Sequence, residues 1–153
     1  MVRQDWLIAY LYVPSSSGQK NEPIDPIRIM KGLFLLRMEA QGELNDFYEF
    51  EPYLYGPCSF EVYRDLSSLS ANGQVDEFPA FPSRWNYYRL TSAGHERARK
   101  ILDSLPPPLV EKITSLKQLV TGMSFLDLLR YVYERYPDYA TRSIITFPRG
   151  SRQ

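Results

Sequence analysis

An α+β fold, mainly helical, is what this sequence predicts, and three observations carry it. Val62, Leu66 and Leu69 recur at i, i+4 and i+7, the inward stripe of a helix that Gly73 closes. Gln74 to Phe78 and Trp85 to Leu90 read as two strands joined by the longer loop PAFPSR. Thr91 and Ser92 then offer caps for a helix from Ala93 to about Leu102. A helix, a two-stranded wing and a following helix form the back half of a winged helix-turn-helix. Further helices are expected on its C-terminal side.

The elements follow in order. Asp5 to Val13 is a short apolar helix packing through Trp6, Leu7, Ala9, Tyr10 and Val13, and Pro14 stops it. SSSGQKNEP is a polar loop. Asp25 before Pro26 pairs an N-cap with proline at the first helical position. The helix it opens runs to about Ala40, and its GLFLL centre is apolar nearly all round, as in a buried central helix. Gly42 ends it. Residues 47–50 (FYEF) are a short strand or an extended lead-in, and Gly56-Pro57 a turn, with Tyr55 packed beneath. Ser59 is positioned to cap the helix to Asn72. Pro106 to Pro108 form a rigid spacer before helices at 109–120 and 125–136, the latter capped by Ser124. The expected organisation is a winged-helix domain over 1–105, a helical extension packed on it over 106–145, and a flexible tail over 146–153.

Composition narrows the function classes. Eighteen basic and eighteen acidic residues cancel, so no global field steers the chain onto nucleic acid, and any such binding needs a local patch. One cysteine excludes an intramolecular disulfide and fits a reducing compartment. No run approaches the ~18 apolar residues a membrane helix needs, and MVRQDWLIAYLYV has too short an apolar run, with an internal Asp5, for a convincing signal peptide. The expected location is the cytoplasm. Twelve tyrosines suit either a core edge or a contact surface, the C-terminal ones at 131, 133, 136 and 139 included.

Catalytic signatures are missing. The lone His95 and the lone Cys58 have no orienting third group at recognisable spacing, and metal-ligand clusters, phosphate-binding glycine loops and zinc-protease motifs are absent. No catalytic, cofactor-binding or metal-binding residue is therefore expected. Arg84, Arg89, Arg97, Arg99 and Lys100 face a single acid, Glu96, across residues 84–100. They read as phosphate contacts on a basic wing, or as a solvated face offsetting the five acids of residues 39–51. The recognition helix argues differently. Glu61, Arg64 and Asp65 leave it acidic, which fits a protein partner at least as well as a DNA groove.

Lys31-Gly-Leu-Phe-Leu-Leu36 and the segment from Glu51 through Tyr55-Gly56-Pro57 to Leu66 resemble the uncharacterised YwgA-like winged-helix proteins. More distantly, the same order resembles the SocA-like antitoxin domain called Panacea. Leu129 to Ala140, with Ser143, resembles the C-terminal tyrosine run of these families. Cys58 stands where Phe is more usual, and Gly32 where Leu is. Residues 87–94 also resemble the strand-to-helix ending of PadR-type regulators, which many winged helices share. The resemblance implies a non-enzymatic bacterial or phage domain linked with toxin neutralisation or phage defence.

The expected function is thus a regulator that binds a toxin or effector protein, with duplex DNA as a second partner. Its contact residues would be Glu61, Arg64, Asp65, Ser68, Arg84 and Arg89. The competing expectation is a sequence-specific transcriptional repressor, dimeric through residues 125–136.

Overall fold

The computed structural model describes residues 1–147 and is mixed α+β, mainly helical, with two small antiparallel sheets. Helix α2 (Pro26–Ala40) is its axis, with every residue from Ile29 to Leu36 buried. Asp25 caps it as the sequence suggests, its carboxylate accepting the Arg28 backbone N–H at 2.9 Å. A 3-10 turn at Gln41–Glu43 continues the helix past the point where Gly42 was expected to end it. Helix α1 (Arg3–Tyr12) begins two residues earlier than its apolar run. Its polar start is held by ion pairs, Arg3 to Asp65 and Asp5 to Arg97.

Helices α1 and α2 approach closely because Gly32 has no side chain. A Cβ there would lie 1.9 Å from the Tyr10 hydroxyl, which donates to the Arg28 carbonyl at 2.8 Å. Residues 47–50 are an extended lead-in outside any ladder, and Phe47 and Tyr48 are buried core. A hairpin then stands where only a turn was expected. β1 (Glu51–Tyr53) pairs with β2 (Gly56–Cys58), with Pro52 opposite Pro57 and Gly56 at φ +92°. Two prolines mask the strand signal, and each is tolerated because a two-stranded ribbon is all edge.

Helix α3 (Phe60–Ala71) buries Val62, Leu66 and Leu69, the expected stripe, and Gly73 follows at φ +75° as the left-handed terminator. Ser59 stands at the N-cap position without capping. It is buried, and its N–H donates to the Met30 sulfur at 3.3 Å. The second sheet pairs β3 (Val75–Pro79) with β4 (Asn86–Leu90), antiparallel, near the expected positions. The polar loop before α2 joins this sheet: Ile24 exchanges two backbone hydrogen bonds with Tyr88, and the Asn21 amide brackets Leu90.

Thr91 caps α4 (Ser92–Ser104) through Gly94 N–H, and Ser124 caps α6 (Phe125–Arg135) through Asp127 N–H. The expected proline spacer is largely helix. Pro107 and Pro108 occupy the first turn of α5 (Pro107–Thr121), where a missing N–H costs nothing. One hydrophobic cluster runs through α1, α2, α3, the β3–β4 sheet, α5 and α6. At the start of the expected flexible tail, 146–153, Phe147 packs on Tyr133 and lies under Arg130. The remainder of that tail lies outside the described residues. Among the described residues no helix is long and apolar enough to cross a membrane.

Candidate functional site

Helix α3, the β1–β2 hairpin and the base of the β3–β4 loop meet on one face. Phe60 is exposed on α3, Tyr63 is exposed in part while its other side walls the cavity below, and Leu54 is exposed at the hairpin tip. Phe60 packs edge-on against Tyr53 with ring centroids 5.0 Å apart. Behind the tip, Tyr55 contacts Trp85 and Phe125, centroids 5.9 and 5.6 Å away, so Trp85 anchors the β3–β4 loop to α6. The tip of that loop carries Phe81, 91 % exposed. Large apolar side chains left in water on adjoining elements are the composition of a protein-contact surface.

The charged residues divide sharply between this face and the interior. Asp65 is not on the face: it is 5 % exposed, and its carboxylate accepts from the Tyr48 hydroxyl at 2.7 Å and from Arg3 at 3.0 and 3.2 Å. Its expected contact role is corrected to an internal one, because position 65 lies inside the stripe formed by 62, 66 and 69. Burial and the Asp65 carboxylate hold the Tyr48 hydroxyl far above its ordinary range. Glu61 is half-buried and pairs with both Arg3 and Arg64. Arg64 remains 72 % exposed in its side chain, although engaged by Glu61. Arg3, Glu61, Arg64 and Asp65 therefore sum to zero around α3. Ser68 is exposed on the same helix, one turn after Arg64.

Arg84 and Arg89 are exposed on opposite parts of the β3–β4 hairpin. Arg84 lies over the Trp85 ring at 5.3 Å and donates to the Tyr55 hydroxyl, which ties it to the aromatic face. Arg89 lies over Phe78 and stands opposite Asp76 in the ladder. It borders a separate polar groove shared with Lys20 and His95. Of the other cations expected to form a basic patch, Arg97 is held by Asp5 and Gln74, and Arg99 pairs with Glu96. The six expected contact residues thus separate: Arg64 and Ser68 with Glu61 on the α3 face, Arg84 beside it, Arg89 on the groove, and Asp65 inside.

Beneath the aromatic face lies a cavity of about 110 Å³, walled by Ile27, Met30, Tyr53, Tyr63 and Trp85. Lys31 and Cys58 also line it. Lys31 is 2 % exposed, and its ammonium donates to the Pro57 carbonyl at 3.3 Å. Burial drives its pKa down to about 7. Burial raises the Cys58 thiol. Sequence reasoning did not bring these two groups together, although Lys31 adjoins the all-round apolar run that marks α2 as central. His95 lies edge-on to Tyr12, 5.0 Å between centroids, and lines the polar groove instead of this cavity. Among the described residues no three His, Cys, Asp or Glu side chains cluster to hold a metal ion.

The apolar stripe offered for dimerisation, in α6, faces this chain's own core. Leu128, Leu129, Val132 and Tyr133 are buried, Tyr131, Tyr136 and Tyr139 pack half-buried against the cluster, and Leu126 is the large apolar side chain α6 leaves exposed. Searches against protein-family models, curated proteins and solved structures return no match to this chain.

Proposed function

We propose that this chain is a winged-helix binding protein that acts without catalysis, as an antitoxin-like or defence-associated regulator engaging a toxin or effector protein. The helix α3, the β3–β4 hairpin as wing and the succeeding α4 supply the winged-helix order. The observation that carries the reading is the character of α3: its outward face offers Phe60, Tyr63 and Ser68, while its charges cancel locally. A helix that enters the major groove needs unpaired donors for base edges and cations for phosphates. A helix that seats against a protein needs exposed aromatic area, which α3 has.

Duplex DNA is the second reading, favoured by the exposed Arg84 and Arg89 on the wing. The two are separable. Phe60→Ser with Tyr63→Ser is expected to abolish capture of the protein partner and leave any low-salt DNA shift unchanged. Arg84→Glu with Arg89→Glu is expected to remove a salt-dependent DNA shift and weaken the protein complex by less than about tenfold, since rim charges contribute little affinity. A DNA shift that disappears with the α3 pair would instead support the repressor reading.

A further inference from the structure

We propose that the cavity beneath the aromatic face is a ligand site for a short-chain aliphatic carboxylate, bound through Lys31. An ammonium has three donors, and Lys31 uses one, in a long bond to a carbonyl that carries no charge. Among the described residues no carboxylate forms an ion pair with it, unlike Arg28, whose head is matched by Asp25 at 2.8 Å. A buried cation without an anion is costly, and the walls here are apolar or aromatic. An anion with a small apolar body completes both requirements at once. A single cation suits a monoanion better than a phosphate dianion, which needs several donors. Size selects further. An apolar cavity of about 150 Å³ holds benzene, so about 110 Å³ takes a carboxylate of roughly butyrate size.

Proton linkage follows from the geometry. The groups facing Lys31 are Cys58 on β2, Asp25 at the start of α2, Tyr53 and Tyr55 on the hairpin and Tyr63 on α3, with Glu51 nearer Cys58. The carboxylates are outside the cavity wall, Asp25 being engaged by Arg28. Burial raises Cys58, and Tyr63 to about 12, so both stay neutral near pH 7. Lys31 is then the group that titrates there, and carboxylate binding favours its charged form. The wall residues Tyr55 and Trp85 also contact Arg84, so an occupied cavity bears on the base of the wing. That coupling rests on the proposed partner-binding role, whereas the site itself does not.

The test is calorimetric titration of the full chain with butyrate, against butyramide as the uncharged analogue. Saturable one-to-one binding is expected at pH 6.5 with Kd on the order of 0.1–1 mM, as so small a ligand allows. Butyrate is expected to bind at least about tenfold tighter than butyramide, and to weaken at least about fivefold at pH 8.5. Lys31→Met is expected to lose the preference while keeping its circular dichroism spectrum. Methyl NMR on the unaltered chain covers the case of a misfolded variant, with butyrate-induced shifts centred on Ile27 and Met30. Equal affinity for the two ligands, no saturation by 50 mM (roughly a hundred times the expected Kd), or shifts centred elsewhere would overturn the site. None of these results depends on whether a protein or DNA binds the outer face.

Discussion

Asp65 shows how one residue can be read wrongly from its type and correctly from its spacing. An aspartate on a helix expected to meet a partner invites a surface role. Yet 62, 65, 66 and 69 are the i, i+3, i+4, i+7 positions of one helical face, and the structure buries all four. The period was the stronger signal, and the missing information was the partner: Arg3 and Tyr48 are 62 and 17 positions away. Asp65→Ala would leave the buried Tyr48 hydroxyl without its acceptor and Arg3 with Glu61 alone. A loss of about 1.5–3 kcal/mol is expected in denaturant unfolding, since the stranded group is the Tyr48 hydroxyl while Arg3 is partly solvated. Tyr48→Phe should cost about 1–2 kcal/mol. A surface role would give under about 0.5 kcal/mol for Asp65. The two buried lysines make a second residue-level expectation. Lys31 and Lys117 are held near pKa 7 by burial, against 10.5 when solvated. Above pH 7 the unfolded chain holds these protons and the folded chain does not, so stability rises with pH from about 7 towards 10.5. It falls again above about pH 10, where unfolded tyrosines ionise while Tyr10, Tyr48 and Tyr63 resist. Between pH 7 and 9 the gain should be about 1–3 kcal/mol per lysine. Urea midpoints measured across this range check it, and Lys31→Met with Lys117→Met should flatten the slope.

At the scale of elements, helices with clear caps were legible, the Pro26 start of α2 included, and the segments at Pro52, Pro57, Pro107 and Pro108 were not. Asp25, Thr91 and Ser124 each make the cap hydrogen bond that their position promises. The β1–β2 hairpin was hidden by Pro52 and Pro57, and the start of α5 by Pro107 and Pro108. In each case the same residue type breaks one kind of element and begins or edges another. The tight crossing of α1 and α2 was equally hidden, since nothing in the sequence links Gly32 to Tyr10. Gly32→Ala places a methyl group within the Tyr10 ring's space. Intrinsic helix propensity alone would make it stabilising by about 1 kcal/mol. The clash should reverse that to a loss of about 1–3 kcal/mol, and Tyr10→Phe combined with it should recover part of the loss. Gly56→Ala should be destabilising for two reasons, its φ of +92° and the Tyr133 ring 2.7 Å from the added carbon. Thermal unfolding of the three variants compares these expectations directly.

Across the whole molecule, the balance of eighteen cations and eighteen anions becomes a pattern of local neutralisation. Arg3 meets Asp65 and Glu61, Arg97 meets Asp5, Arg37 meets Glu49 and Lys112 meets Glu39. Two of these pairs, Arg37–Glu49 and Lys112–Glu39, draw on the acidic segment 39–51, so two of its five acids are matched by α2 and α5 rather than by the β3–β4 hairpin. Arg84 and Arg89 are left outward, and so is the aromatic face of Phe60, Tyr63 and Leu54. Composition foretold the neutrality but not its distribution, because pairing is a property of the fold. We propose that this aromatic face, rather than the arginines of the β3–β4 hairpin, holds the partner. Quantitative affinity capture from native host lysate tests it most directly, comparing the unaltered chain with Phe60→Ser/Tyr63→Ser and Arg84→Glu/Arg89→Glu. The expected result is one protein enriched by the unaltered chain and by the arginine variant, resistant to nuclease, and lost with the aromatic variant. Enrichment lost with the arginine variant or on nuclease treatment, and kept with the aromatic variant, would contradict the account.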